Sequence, residues 1–128
     1  MITEEAIKTV KDLKIYKSAY KLALDIFEVT KNFPRTEAFS LVDQIRRSSR
    51  SVAMNIREGF ARRKYPQIFV KQLNDALGSS EETRGWLDFA SDCGYLTKEK
   101  HRELDAQYDE MNAMLFSLMN KWQDFSDV

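Results

Sequence analysis

The residues best suited to chemistry in this 128-residue chain are basic side chains gathered between Gln44 and Lys64. Beside one acid, Glu58, this segment contains the following basic residues: Arg46, Arg47, Arg50, Arg57, Arg62, Arg63 and Lys64. Most are arginines, whose planar guanidinium groups can bind phosphate through two parallel hydrogen bonds. The segment therefore predicts an interface for the phosphate backbone of RNA or DNA. The alternative is a solvated helix face whose charges are matched by acids on the two later, net acidic helices.

Residues for catalysis or metal binding are sparse. The single histidine, His101, has Lys98 three residues before it, so the Glu-x-x-His pattern of di-metal bundles is missing. The four glycines are too dispersed for a phosphate-binding loop. The serines at positions 48, 49 and 51 have no local histidine to activate them. We therefore predict no enzymatic activity, no metal site and no cofactor.

A second polar group, Asn55 and Glu58, lies near the apolar seam of the second predicted helix, beside Gly59. The glycine would let a neighbouring helix approach closely, and the two polar side chains would then fix the packing register. Glu58 is also spaced to pair with Arg62 on the same helix. An enzyme site or a small-ligand pocket around Asn55 and Glu58 is the alternative interpretation.

Composition limits the cellular setting. One cysteine, Cys93, excludes an intramolecular disulfide and a zinc site built from several thiolates, which favours a reducing cytoplasm. No window approaches the roughly 18 apolar residues that a membrane span needs, and the amino terminus lacks the pattern of a signal peptide. The net charge of zero argues against a general polyanion binder, although it allows a local basic patch. We expect a cytoplasmic protein with no membrane partner.

Apolar residues recur at steps of three and four along most of the chain, which predicts amphipathic helices and an all-α fold. The predicted helices occupy approximately residues 13–32, 37–61, 66–93 and 98–125. At about 1.5 Å per residue they would be about 30 to 40 Å long, and short turns would join them into an antiparallel up-and-down four-helix bundle. We predict a single domain. A three-helix core with one helix docked elsewhere is the structural alternative.

The periodicity also predicts which residues face the core. For the first helix these are Leu13, Tyr16, Ala19, Tyr20, Ala23, Ile26, Phe27 and Thr30. For the second they are Ala38, Val42, Ile45, Ser49, Val52, Ile56 and Gly59. For the fourth they are Leu104, Tyr108, Met111, Leu115, Leu118, Trp122 and Phe125.

Several single residues mark the predicted helix ends. Pro34 falls in the first connection, and Pro66 suits the first position of the third helix, where its missing N–H has no intrahelical partner to lose. Gly94 is a candidate C-cap, Thr97 can cap the fourth helix, and Cys93 is expected to pack at a helix end.

The apolar surface of the last two helices exceeds what one bundle seam needs. The residues concerned are Trp86, Phe89, Met114, Phe116 and Met119. Part of this surface is predicted to be a subunit interface. A thick core with some exposed aromatic side chains is the alternative.

Four segments resemble the four-helix-bundle family encoded in intervening sequences of bacterial 23S ribosomal RNA genes. They are KDLKIY at 11–16, QIRR at 44–47, NIREGFARR at 55–63 and ALGSSE at 76–81. The resemblance extends over roughly residues 11 to 122. In the family the stretch before and through the third segment usually reads Ser-x-Pro-Ser-Asn-Ile-Ala-Glu-Gly. This chain has Ala53 in place of the proline, Met54 in place of the second serine and Arg57 in place of the alanine.

The resemblance implies a left-handed up-and-down bundle that assembles as a ring-like homopentamer and has no established catalytic activity. It also implies kinship with the accessory proteins of diversity-generating retroelements, which are similar pentameric barrels that bind nucleic acid and a reverse transcriptase. In such a ring the basic residues of the second helix would repeat around an axis and bind multivalently. Self-association without nucleic-acid binding is the alternative function.

Overall fold

The protein is described by a computed structural model that covers residues 8–126, with side chains for residues 8–122. Its helices are α1 (Lys14–Thr30), α2 (Leu41–Ala61), α3 (Pro66–Asp92) and α4 (Lys98–Ser126). Short 3-10 turns at Val10–Asp12 and Arg35–Glu37 precede α1 and α2. The part of the chain described here contains no strand, and the predicted all-α four-helix bundle is confirmed.

The four helices pack in chain order. α2 packs most extensively against α3, α3 against α4 and α1 against α2, while a smaller contact between α1 and α4 completes the bundle. The short connections make consecutive helices antiparallel neighbours. α2 therefore lies between α1 and α3, and its two flanks contact different helices.

The core follows the predicted seams of α2 and α4. On α2 the buried seam residues are Val42, Ile45, Ser49, Val52, Ile56 and Gly59. On α4 the buried seam residues are Leu104, Tyr108, Met111 and Leu115. Phe125, predicted for the same seam, lies outside the side chains that the structure describes. Each fully buried aliphatic side chain contributes about 1.5–3 kcal/mol relative to exposure, so these seams account for much of the drive to fold.

α2 begins later than the periodicity predicts. The sequence suggests a start near residue 37, but Glu37 ends a 3-10 turn and the helix begins at Leu41. The Glu37 carboxylate accepts hydrogen bonds from Ser40 Oγ and from Tyr95 Oη, the latter at 2.9 Å. These bonds, led by the one from Ser40, lower the pKa of Glu37. Ala38, predicted for the seam, is consequently exposed before the helix.

The predicted caps occur as expected around the last connection. Gly94 adopts a φ of 78°, a left-handed conformation that suits glycine after a helix end. Thr97 Oγ1 accepts a hydrogen bond from the backbone N–H of Lys100 at 3.1 Å, and Pro66 occupies the first turn of α3. Cys93 differs from expectation, because its side chain is exposed at the end of α3.

A cluster of charges joins α3 to α4. Arg84 binds Asp105 through two bonds, Nε to Oδ1 at 2.8 Å and Nη2 to Oδ2 at 3.2 Å. Its Nη1 also donates to Glu81 and Asp109. The hydrogen bond from Arg84 lowers the pKa of Asp105, and the same bond raises the pKa of Arg84. These acidic side chains of α3 and α4 therefore pair with a basic residue that lies on the same two helices.

Candidate nucleic-acid interface

Three of the predicted basic residues lie along the flank of α2 that faces α1. Arg46, Arg50 and Arg57 are separated by four and seven residues, so at 100° per residue they occupy a narrow arc of the helix surface. Arg50 and Arg57 are exposed and Arg46 is half-buried. We call these three arginines the arginine ridge.

Aromatic rings and hydroxyl groups of α1 hold two members of the ridge at one end. Arg46 Nε donates to Thr30 Oγ1 at 2.9 Å, and Arg46 Nη2 donates to the Phe27 carbonyl at 3.4 Å. The Arg46 guanidinium carbon lies 4.6 Å from the centroid of the Phe27 ring, and that of Arg50 lies 6.0 Å away. Both distances suit cation–π attraction.

The other end of the ridge has the same chemistry. Arg57 Nη1 donates to Tyr16 Oη at 3.1 Å, and its guanidinium carbon lies 5.8 Å from the centroid of that ring. The sequence assigns Tyr16 and Phe27 to the core stripe of the first helix and does not indicate them as arginine partners. No pattern in the sequence separates these two aromatic residues from the rest of the stripe. Tyr20, predicted for the stripe, is 51% exposed instead.

The other basic residues of the segment lie elsewhere. Arg47 points away from α1 and pairs with Asp43 one turn earlier, at 2.9 Å. Arg62 Nη1 donates to Gln72 Oε1 at 3.2 Å, and Arg63 Nη1 donates to the Phe60 carbonyl at 2.9 Å. Arg63 also covers the Phe60 ring, at 3.9 Å from its centroid.

Lys64 completes the basic end of the bundle. Its Nζ lies 5.8 Å from the centroid of the Tyr65 ring. Tyr65 is 57% exposed, so its ring is open to solvent beside the basic residues of the turn.

The positive charge of this surface is largely uncompensated within the chain. Among residues 8–122, Arg47 is the one member of the predicted basic set with a carboxylate within ion-pair distance. The acids of α3 and α4 engage bases such as Lys71, Arg84 and Lys100 on those same helices. The ridge therefore keeps its charge toward solvent, which is what an anionic ligand requires.

Asn55, Glu58 and Gly59 lie on the other flank of α2, against α3. Gln72 joins them, because its Nε2 donates to Asn55 Oδ1 and to Glu58 Oε2, both at 3.3 Å. A Cβ on Gly59 would lie 2.9 Å from Gln72 Cβ, so the glycine permits the close approach of the two helices. Glu58 thus bonds with Gln72, while Arg62 donates to Gln72 Oε1. The expected pair between Glu58 and Arg62 is not formed. Gln72 carried no signal in the sequence.

Two open hollows mark the surface. The first, of about 370 Å³, runs between α1 and α2 beside the arginine ridge. Its lining residues are Tyr20, Ala23, Leu24, Phe27, Arg50, Ala53 and Met54. The second, of about 580 Å³, lies between the start of α2 and the end of α3, and its apolar lining comes from Leu41, Trp86 and Phe89.

The predicted excess of apolar surface is partly present. Phe89 and Phe116 are more than half exposed, whereas Met119 is buried in the core. Phe39, which the sequence did not single out, is 97% exposed in the connection before α2.

The described residues contain no cluster of three or more histidine, cysteine or acidic side chains that could hold a metal ion. Over the same part of the chain, no helix is both long and apolar enough to span a membrane.

The comparison with known proteins agrees with the family resemblance. The family model described as 23S rRNA-intervening sequence protein matches residues 11–117. A solved structure from Bacteroides thetaiotaomicron, described as a protein with unknown function from the S23 ribosomal protein family, has a similar fold with a TM-score of 0.75. The two sequences are 27% identical, and the match covers 82% of this chain and 97% of the other. No curated protein matches the sequence. Neither description names an enzymatic activity.

Proposed function

The chain belongs to the 23S rRNA-intervening sequence protein family, and on that premise we propose that it is a cytoplasmic, non-enzymatic bundle that binds the backbone of RNA or DNA. The contacts come from the arginine ridge of α2. The basic end of the bundle, formed by Arg62, Arg63 and Lys64, extends the surface along the strand.

One observation supports this proposal above the others: aromatic rings and hydroxyl groups position the ridge, and carboxylates do not. Arg46 and Arg57 each use part of their guanidinium group on α1. A guanidinium carries five N–H donors, so donors remain for a phosphate. The side chain of Arg50 makes no hydrogen bond within the described part of the chain and lies exposed between them. Such positioned but uncompensated arginines are suited to bidentate phosphate contacts.

The test compares two variants that lose the same charge. Arg50→Gln/Arg57→Gln removes two ridge charges, and Lys71→Gln/Lys100→Gln removes two charges that pair with acids on α3 and α4. Fluorescence anisotropy with labelled RNA and DNA, after thermal melts show that both variants fold, should give weaker binding for the ridge variant alone. An equal loss of affinity in both variants would mean that binding depends on net charge and not on the ridge. Absence of binding by the unaltered protein would overturn the proposal.

A second candidate function is self-association without nucleic acid, and the exposed aromatic residues favour it. Phe39 is 97% exposed, next to the hollow lined by Trp86 and Phe89. In a ring of subunits, Phe39 of one copy could fill that hollow on the next and bury both apolar surfaces. Sedimentation should then show an oligomer that Phe39→Ser dissociates and that Phe116→Ser leaves intact. A monomer at all concentrations would exclude this function.

If the arginines served the assembly and not a nucleic acid, charge reversal would reveal it. Arg50→Glu/Arg57→Glu would dissociate the oligomer only if acids of a neighbouring subunit bind these residues. An intact oligomer that has lost its affinity for RNA and DNA would instead support the first function.

A further inference from the structure

The hollow between α1 and α2 has an apolar floor at the centre of a positively charged surface. Tyr20, Leu24 and Met54 line it and are 51%, 53% and 42% exposed. Exposed apolar residues are ordinary when isolated, but here three large ones meet in one depression. Its volume of about 370 Å³ falls in the range of about 300–1,000 Å³ common for small-molecule sites. The depression therefore has room for a flat heterocycle.

Cations stand at both ends of this floor. Because α1 and α2 are antiparallel, Tyr16 and its partner Arg57 lie at one end, and Phe27 with Arg46 and Arg50 lies at the other. The helical rise of about 1.5 Å per residue separates Arg46 from Arg57 by about 16 Å along α2. Stacked nucleotides rise about 3.4 Å each along one strand, so this distance corresponds to about five of them.

From this arrangement we infer that the hollow binds an unpaired nucleobase of a single-stranded nucleic acid, with the arginine ridge holding the phosphates on either side. The inference rests on the proposed backbone binding and adds the form of nucleic acid that the site selects. Surfaces that bind single strands combine a positively charged groove with aromatic side chains on which bases stack. Tyr20, tilted against Tyr16 with ring centroids 5.9 Å apart, provides such a ring at the edge of the hollow.

A duplex would not use this floor. Its bases are paired and stacked inside, so the apolar side chains would face the sugar–phosphate exterior and gain little. A single strand can turn a base into the depression and cover Leu24 and Met54 while its phosphates still reach Arg50 and Arg57. The positive charge attracts the phosphates of single strands and duplexes alike, whereas the apolar floor favours the single strand.

The experiment separates charge from the apolar floor. Leu24→Ser/Met54→Ser makes the floor polar without changing any charge, and the control Phe116→Ser removes an exposed apolar residue that lines neither hollow. Anisotropy would be measured with labelled oligo-dT and with a blunt-ended duplex, free of loops, that has the same number of phosphates. We expect the unaltered protein to prefer the single strand, and the floor variant to lose about tenfold on oligo-dT with no loss on the duplex. The control should behave as the unaltered protein.

Other outcomes are decisive too. Equal affinity of the unaltered protein for both forms, or an unchanged floor variant, would overturn the inference while leaving backbone binding intact. Failure to bind either form would overturn the proposed function itself. Sedimentation showing that the floor variant dissociates an oligomer would assign the hollow to a subunit contact and likewise overturn it. Photocrosslinking with bromouracil-containing oligonucleotides should place the crosslink at Tyr20 or Met54, and a crosslink confined to the basic end would contradict the inference.

Discussion

Arg57 donates a hydrogen bond from Nη1 to the phenolic oxygen of Tyr16, 3.1 Å away, and covers the same ring at 5.8 Å from its centroid. The contact joins α2 to α1 without using a carboxylate. It positions the guanidinium and leaves its charge intact. At the other end of the ridge, Arg46 donates to Thr30 Oγ1 and lies over the Phe27 ring, so both ends are attached to α1.

Removing the Tyr16 hydroxyl should reduce the stability of the fold more than it reduces the affinity for nucleic acid. Tyr16→Phe eliminates the hydrogen bond and keeps the ring, so we expect a loss of about 1 kcal/mol in the free energy of unfolding. The charge of Arg57 remains available to a phosphate. Urea unfolding and anisotropy on the same variant would check both effects. A loss of affinity as large as that of Arg57→Gln would mean that the hydroxyl itself contacts the ligand.

Gly59 should tolerate no side chain. In Gly59→Ala the new Cβ would lie 2.9 Å from Gln72 Cβ and 3.0 Å from Phe69 Cδ1. Overpacking typically costs about 1–3 kcal/mol, which exceeds the gain of about 1 kcal/mol from replacing a helical glycine. We therefore expect a lower melting temperature. Gly78→Ala is the matched control, because its Cβ would meet nothing within 4 Å, and it should raise stability by about 0.5–1 kcal/mol.

The buried hydroxyl pair between α2 and α3 should behave as a unit. Ser48 Oγ and Thr83 Oγ1 are 2.8 Å apart, and both residues are buried. Ser48→Ala and Thr83→Val should each cost about 1 kcal/mol, and the double variant should cost less than their sum by at least about 0.5 kcal/mol. Chemical denaturation of the unaltered protein, the two single variants and the double variant gives the free energies for this double-mutant cycle. Strict additivity would show that the two hydroxyls do not depend on each other.

The contact between Arg84 and Asp105 should make stability depend on acidic pH. The hydrogen bond from Arg84 holds the pKa of Asp105 below its unfolded value, which is about 3.9. The stabilisation is therefore complete above about pH 4 and is lost as the pH falls through the lower folded-state pKa. Asp105→Asn should be destabilising near neutral pH and much less so in strong acid. Asp75→Asn, which breaks an exposed pair with Lys71, should have little effect at either pH.

The fold could be predicted from the sequence because the seams of α2 and α4 follow a strict period. The start of α2 could not, since Glu37 ends a 3-10 turn and accepts a hydrogen bond from Tyr95, 58 residues away, which no local pattern indicates. The arc of arginines was predictable from spacing on one helix. Their partners Tyr16 and Phe27 were not, because the same aromatic residues fit the core stripe equally well. Gln72 was hidden for a similar reason, since a glutamine in a helix becomes a buried bridge only when two helices approach closely.

The salt dependence of binding tests the central claim most directly. If the surface neutralises about five phosphates, log affinity should fall against log salt with a slope of roughly −3.5 on a single strand or −4.5 on a duplex. Arg50→Gln/Arg57→Gln should make the slope shallower by roughly 1.4 to 1.8, and Lys71→Gln/Lys100→Gln should leave it unchanged. A slope near zero in the unaltered protein, or the same slope in both variants, would contradict the proposal that the arginine ridge binds a nucleic-acid backbone.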